Sequence, residues 1–181
     1  MGRYKKYKPP FEDRNAAGEK ICVMCGKPLT GRQERWCGGR KCLQAQWIRS
    51  GDQTEMRVYL FKKEKGICQG CGMDCEMLRK VIEWVVENRD SESEEEEMIL
   101  YQLVDLGLPI KITGDEDNRG FVTWEADHIV PLAEGGEHHE DNIQTLCITC
   151  HKKDTRELAG RLARKRKKEA TGTNEMFPEM Q

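Results

Sequence analysis

The side chains best suited to chemistry lie in the segment from Trp124 to His151. Hydrolysis of a phosphodiester needs an activated water, neutralised charge at phosphorus and help for the leaving 3′-oxygen. His128 can be the general base, because an imidazole titrates near neutral pH. Asp127 and His151 can hold one divalent cation, which would bind a phosphate oxygen and the leaving oxygen. These three positions form a candidate hydrolytic site.

The same segment contains residues that can position this site. Adjacent residues of a strand point to opposite sides, so Asp127 and His128 can serve different roles. His151 is expected to open a helix, and a helix N-terminus favours phosphate. The glycine pair at 135–136 indicates a turn. These features predict a strand that ends near Asp127, a turn, and a helix that begins near His151.

Two further histidines, His138 and His139, lie in the polar run from Glu137 to Glu140. No helical spacing brings their rings to one face, so metal binding by this pair is the lesser interpretation. We interpret both as exposed side chains outside the catalytic group.

Eight of the nine cysteines have the spacing of zinc ligands, because a Cys-x2-Cys turn lets two thiolates face one ion. The two expected structural zinc sites contain Cys22, Cys25, Cys37 and Cys42, and Cys68, Cys71, Cys147 and Cys150. The second site would close an insert of 75 residues. The remaining cysteine, Cys75, is interpreted as a small buried hydrophobe, with substitution for Cys71 as a ligand as the alternative.

The order of these residues resembles the HNH nuclease motif. The matching features are Asp127-His128 at the end of a strand, Asn142 about a dozen residues later, and His151 after a Cys-x2-Cys pair. The flanking cysteine pairs resemble the zinc-ribbon subgroup of that family. The resemblance covers residues 55–168. It implies a ββα-metal fold, DNA as the partner, and an Asn142 that pins the loop and orients His128; metal ligation by Asn142 is the alternative.

A second resemblance includes the N-terminal cysteines. The stretches 35–42 and 46–50 resemble the C-terminal portion of the vertebrate annealing helicase family that carries a Ran-binding-type zinc finger. In that family a cysteine-rich unit also precedes an HNH domain. The 181 residues contain no helicase region, so the resemblance implies the nuclease module alone.

The expected fold class is α+β, a zinc-stabilised HNH domain with an N-terminal treble-clef-like zinc unit and a helical insert. Helices are predicted over 41–48, 53–65, 76–88, 98–106 and 151–169, and a β-like segment over 121–129. The expected domains are a flexible basic arm at 1–19, a four-cysteine unit at 20–52, the HNH domain at 53–169 with an insert at 76–120, and a disordered tail at 170–181.

Charge is strongly segregated although the net charge is only −2. Residues 1–65 carry +9, residues 83–97 carry −7 and residues 152–168 carry +7. Basic clusters suit a polyanion, although Lys-rich termini can also serve solubility alone. The acidic residues could compete with DNA for the basic face or form a solvated loop. The expected DNA-binding side chains are Lys152, Lys153, Arg156, Arg161, Arg164 and Lys165.

The remaining features bound the cellular context. No apolar N-terminal stretch resembles a signal peptide, and no apolar run is long enough for a membrane span. We therefore expect an intracellular protein, in the cytoplasm, nucleoid or nucleus, that is not secreted.

The expected cofactors are two structural Zn²⁺ and one catalytic Mg²⁺, Mn²⁺, Ni²⁺ or Zn²⁺, with no small-molecule cofactor. A non-catalytic zinc module that binds DNA or a protein is the alternative function. Substrate structure and oligomeric state stay open.

Overall fold

The computed structural model describes residues 11–87, 96–114 and 120–171. Parts of several predicted segments lie outside these ranges. They are residues 1–10 of the basic arm, 88–95 of the acidic stretch 83–97, which include the last residue of the helix predicted at 76–88, 115–119 of the insert and 172–181 of the tail.

The N-terminal zinc unit includes more of the chain than the sequence predicted. Residues 11–19 were expected to be a flexible arm, but the Phe11 N–H donates to the Val23 carbonyl at 3.1 Å and the Ile21 N–H to the Asp13 carbonyl at 2.9 Å. Helix α1, Arg40–Ser50, contains Cys42, the last of the four N-terminal cysteines, and ends at Gly51, whose φ of 90° suits a glycine. The arm residues next to the unit are thus part of its fold.

Helix α2, Gln53–Glu64, begins after Asp52, whose side chain accepts a hydrogen bond from the Glu55 N–H. It ends at Lys65, which adopts the left-handed conformation and is followed by Gly66. Glu64 accepts the Thr145 N–H at 2.7 Å, which attaches the end of α2 to the hairpin described below.

The insert forms its own small layer. Helices α3, Cys75–Glu87, and α4, Glu96–Asp105, precede strand β1, Lys111–Thr113, which pairs antiparallel with β2, Gly120–Val122. The buried side chains of this layer form a core separate from that of the hairpin. They are Ile82, Val86, Leu100 and Ile110.

Side-chain hydrogen bonds attach the insert to the rest of the molecule. The Thr123 hydroxyl donates to the Cys75 carbonyl at 3.0 Å, and the Trp124 indole N–H donates to Glu76 at 3.1 Å. Thr123 is only 1% exposed. Thr123 lies between β2 and β3. The single β-like segment predicted at 121–129 is therefore divided into two strands.

The remaining elements have a ββα arrangement. Strand β3, Trp124–His128, pairs antiparallel with β4, Ile143–Cys147, and helix α5, Ile148–Thr171, follows β4 without a loop. A single 3-10 turn, Leu132–Glu134, lies in the connection between the strands. Helix α5 begins three residues before the predicted start at His151 and includes residues 170 and 171 of the predicted tail.

One apolar core joins the zinc unit, α2 and the hairpin. It contains Ile48, Met56, Leu60, Cys68, Cys75, Trp124, Ile143, Leu146 and Cys147. The expected α+β class is confirmed by these mixed helices and strands. Among the described residues, no helix has the length and apolarity that a membrane span requires.

Candidate active site and zinc sites

The cysteine tetrad of residues 68, 71, 147 and 150, called tetrad 2, has the geometry of a zinc site. Its four sulfur atoms lie within 4.8 Å of one another, and the Cys71 and Cys147 sulfurs are 3.8 Å apart. Two thiolates bound tetrahedrally to zinc lie about 3.8 Å apart, given Zn–S bonds of ~2.3 Å. The sulfur spacing therefore fits one Zn²⁺.

Local hydrogen bonds favour the thiolate form of Cys68 in tetrad 2, whereas burial raises the pKa of Cys147 and of Cys150. Burial alone would raise the pKa of Cys68, but backbone N–H groups of Cys147, Cys71 and Gly70 lower it to about 7. One of these donors, the Cys147 N–H, lies 3.2 Å from the Cys68 sulfur. A deprotonated thiol is the form that binds metal.

The tetrad of residues 22, 25, 37 and 42, called tetrad 1, has similar geometry. Its sulfur atoms also lie within 4.8 Å of one another, with Cys25 and Cys37 at 4.0 Å. Burial would raise the pKa of Cys22, but backbone N–H groups of Cys37, Met24 and Cys25 lower it to about 6. Both predicted cysteine groupings are thus assembled in the fold, and each could hold zinc.

Cys75 lies outside both tetrads. Its side chain is fully buried in the main core, and burial raises the pKa of its thiol to about 12. The structure thus groups Cys71, rather than Cys75, with the other three cysteines of tetrad 2.

Asp127 and His151 face each other beside tetrad 2. Asp127 lies near the end of β3, His151 lies in the first turn of α5, and Asp127 Oδ1 is 3.8 Å from His151 Nε2. Two ligands with bonds of about 2.1 Å to one cation can be at most about 4.2 Å apart. The two side chains are one-quarter and one-third exposed, which leaves the position accessible. They fit a shared divalent cation.

His128 contacts His138, a residue that was not expected in the catalytic group. Its Nε2 lies 3.0 Å from Nδ1 of His138, and the ring centroids are 4.9 Å apart. Burial and the neighbouring His138 lower the pKa of His128, while Asp127 opposes this effect. Burial also lowers the pKa of His138. Both rings therefore favour the neutral form, which a general base requires.

Asn142 connects the two sides of the loop between β3 and β4. Its side-chain carbonyl accepts the Val130 N–H at 2.8 Å, and its amide donates to the carbonyls of Val130 at 3.0 Å and Glu137 at 2.8 Å. Gly136 lies so close that a Cβ there would be 1.9 Å from the Val130 oxygen. The loop is therefore closely packed at Asn142.

The end of α1 also contacts this loop. Arg49 lies 3.0 Å from Nε2 of His139 and 3.4 Å from a carboxylate oxygen of Glu140. His138 and His139 are half-buried, whereas both were expected to be exposed. The difference arises because the zinc unit packs against the loop, and the sequence did not predict that contact.

The six predicted DNA-binding residues all lie on the exposed surface of α5. Arg161 differs from a free cation, because its Nε and Nη2 donate to the two carboxylate oxygens of Glu134 at 2.8 and 2.9 Å. The Arg161 hydrogen bonds lower the pKa of Glu134. The charge of Arg161 is therefore compensated locally.

Sequence reasoning thus missed His138 and Glu134 as neighbours of the site. The adjacent histidines at 138–139 were a visible signal, but a pairing across the hairpin loop has no characteristic spacing. The partner of Glu134 is 27 residues away on α5. Only the fold brings these residues together.

Comparison with known proteins agrees with this geometry. Residues 113–157 match the HNH endonuclease family model. This segment contains β3, the loop, β4 and the first turns of α5. The resemblance to HNH nucleases is therefore confirmed, and the chain contains an HNH domain with two cysteine tetrads.

Similar proteins support the second resemblance. The DNA annealing helicase and endonuclease ZRANB3 of Mus musculus is 30% identical over 154 residues, 78% of this chain. The ZRANB3 proteins of Homo sapiens and Bos taurus are 29% and 28% identical over 76% and 78% of the chain. The aligned part covers only 13–14% of the length of these relatives. No solved structure gives a significant match.

Proposed function

We propose that this chain is a metal-dependent DNA endonuclease, with His128 as the general base and one divalent cation held by Asp127 and His151. The observation that carries the proposal is the pairing of Asp127 with His151 at 3.8 Å, next to the half-buried imidazole of His128, whose pKa is lowered by burial. The HNH match over residues 113–157 and the nuclease relatives support the same reaction class.

In the proposed reaction, His128 accepts a proton from water as the water oxygen bonds to phosphorus. The P–O3′ bond then breaks, and the 3′-oxygen leaves with the electron pair. A divalent cation at Asp127 and His151 would supply Lewis-acid stabilisation of charge on the phosphate and leaving oxygens. Asn142 supports His128 indirectly, because it fixes the loop that follows β3.

DNA is the proposed substrate, and α5 is the proposed contact surface. Its basic side chains at 152, 153, 156, 164 and 165 are exposed on one continuous helix that begins at the site. Contacts of Lys and Arg with phosphates position a protein without selecting sequence. An intracellular location follows from this substrate.

Cleavage of a panel of DNA structures tests the proposal. Supercoiled plasmid, linear duplex, nicked duplex and branched DNA are incubated with Mg²⁺, Mn²⁺ or Ni²⁺, and the products are compared with those of His128→Ala. We expect cleavage of at least one substrate by the wild-type protein and loss of cleavage in the variant. Equal background from both proteins would reject the proposal.

A non-catalytic zinc module that binds DNA is the second candidate, favoured by the two tetrads and the basic helix. Mn²⁺ titration of the zinc-loaded protein distinguishes the two. A nuclease should bind a third ion that Asp127→Asn weakens. Absence of a third site, together with salt-sensitive DNA binding that survives Asp127→Asn, would favour the module.

A further inference from the structure

His128 and His138 form a ring-to-ring contact within the candidate active site. His128 ends β3 and His138 lies in the loop ten residues later, with Nε2 and Nδ1 3.0 Å apart. Such a distance is typical of a hydrogen bond. A neutral imidazole donates from one ring nitrogen and accepts at the other, so one ring donates and the other accepts.

The direction of this hydrogen bond decides whether His128 can act as a base. If His138 donated, the Nε2 lone pair of His128 would be occupied and its own proton would lie on Nδ1. Neither nitrogen could then accept a proton from water. If His138 accepts, the proton of His128 lies on Nε2 and its Nδ1 lone pair is free. Only this second arrangement supports general-base catalysis.

His138 is confined on several sides. A Cβ on Gly51 would lie 3.1 Å from its Nε2, so the backbone at the end of α1 lies close to the ring. Asn142 holds the preceding residue through the Glu137 carbonyl at 2.8 Å. Arg49 holds the following residue through Nε2 of His139 at 3.0 Å. The ring is therefore positioned from both the zinc unit and the hairpin.

We propose that His138 is a positioning residue for the nuclease reaction: its Nδ1 accepts the Nε2–H of His128 and thereby leaves Nδ1 of His128 free to take the proton of water. This inference rests on the proposed endonuclease function. It also gives the N-terminal zinc unit a role in the active site, because α1 contributes to the packing of His138.

Two nearly isosteric substitutions separate the hydrogen bond from packing. His138→Asn retains an acceptor near the position of Nδ1, whereas His138→Leu has a similar shape without polar atoms. Plasmid cleavage with Mn²⁺ gives kcat and KM for each protein. We expect His138→Leu to lower kcat by at least about tenfold with KM little changed, since general-base catalysis contributes ~10²–10⁴-fold. His138→Asn should restore most of the loss.

Nitrogen-15 NMR of the imidazoles gives a readout that needs no activity. The chain has four histidines, so their ring signals are few. In the zinc-loaded wild-type protein without added Mn²⁺, His128 should carry its proton on Nε2, and His138→Leu should produce a mixture of both tautomers. His128 protonated on Nδ1 in the wild type would overturn the inference.

The two readouts also distinguish this inference from the proposed function. Equal kcat losses in His138→Leu and His138→Asn, or no loss in either, would overturn the positioning role in a protein that cleaves DNA. A wild-type protein that cleaves nothing would reject the endonuclease function, and with it the catalytic purpose of the contact. The Nε2–H tautomer could still be observed in that case, and it would support the contact geometry alone.

Discussion

The two cysteine tetrads differ in the sequence distance that each one closes. Tetrad 1 lies within 21 residues, from Cys22 to Cys42. Tetrad 2 joins cysteines 76 positions apart, and Cys147 ends β4, the strand that pairs with β3, which carries Asp127 and His128. Two of its ligands, Cys68 and Cys147, are buried at 1% exposure in the main core.

This difference assigns the tetrads different tasks. Tetrad 2 joins the end of β4 to the start of α5. It therefore keeps Asp127, on the strand paired with β4, close to His151. Tetrad 1 fixes α1, which reaches the site only through the loop that carries His138 and His139. Loss of tetrad 2 should therefore remove the site, whereas loss of tetrad 1 should only impair it.

The largest expected effect is that of Cys147→Ser in tetrad 2. A structural zinc can contribute about 10–16 kcal/mol, as in zinc-finger peptides. That is as large as the whole stability of a typical domain, about 5–15 kcal/mol. We expect one zinc per chain, loss of amide dispersion in the NMR spectrum and no DNA cleavage. Cys75→Ala, the buried cysteine outside both tetrads, should keep two zinc ions and the folded spectrum.

Cys25→Ser in tetrad 1 should have a smaller effect. We expect one zinc to be lost while the amide signals of β3, β4 and α5 keep their positions. Cleavage should fall by about 10–100-fold, the range expected when a catalytic group is displaced by about 1 Å. Zinc analysis, NMR and plasmid cleavage test this outcome. Loss of the amide signals of β3 and β4 would contradict the claim that only tetrad 2 is required for the site to form.

Gly136→Ala tests whether the hairpin loop contributes independently of the metals. A Cβ there would meet the Val130 oxygen at 1.9 Å and the Asn142 amide at 3.0 Å. We expect destabilisation by about 1–3 kcal/mol, as for other overpacked sites, with both zinc ions retained. In the control Gly160→Ala, on α5, the nearest atom to the new Cβ is 3.5 Å away. Thermal unfolding should show it unchanged or up to about 1 kcal/mol more stable.

The smallest effect is expected for Glu134→Gln, beside the helix that tetrad 2 anchors. It removes the carboxylate that accepts both hydrogen bonds from Arg161. The freed guanidinium should tighten DNA binding by about two- to threefold and steepen the salt dependence by about one phosphate contact. Fluorescence anisotropy at several salt concentrations measures both. Arg161→Gln is the control. A change in DNA affinity that is larger for Arg161→Gln than for Glu134→Gln would show that Arg161 already contacts DNA.

The two cysteine groupings could be predicted from the sequence, because metal chemistry imposes local spacing. Cys22 and Cys25 form such a local pair, and Asp127-His128 is defined by adjacency. The long-range grouping of Cys71 with Cys147 could also be predicted, because each Cys-x2-Cys pair supplies only two of the four ligands of a zinc site. These features depend on few residues, so little of the fold has to be known.

The contacts between segments could not be predicted in this way. The packing of α1 against the loop near His139 depends on the shared core that contains Ile48. The pair of Arg161 and Glu134 depends on where the 3-10 turn lies relative to α5. Strands β1 and β2 were missed as a pair, since each has only three residues and carries little periodic signal.

The most direct test of the proposed nuclease activity is cleavage of supercoiled plasmid with Mn²⁺ by the wild-type protein and by His128→Ala. Each preparation is first shown to hold two zinc ions per chain. Equal zinc content ensures that both tetrads, and therefore the fold around the site, are intact. We expect nicked or linear product from the wild-type protein and a rate at least about 100-fold lower for the variant. Equal rates for two such preparations would contradict the proposed nuclease activity.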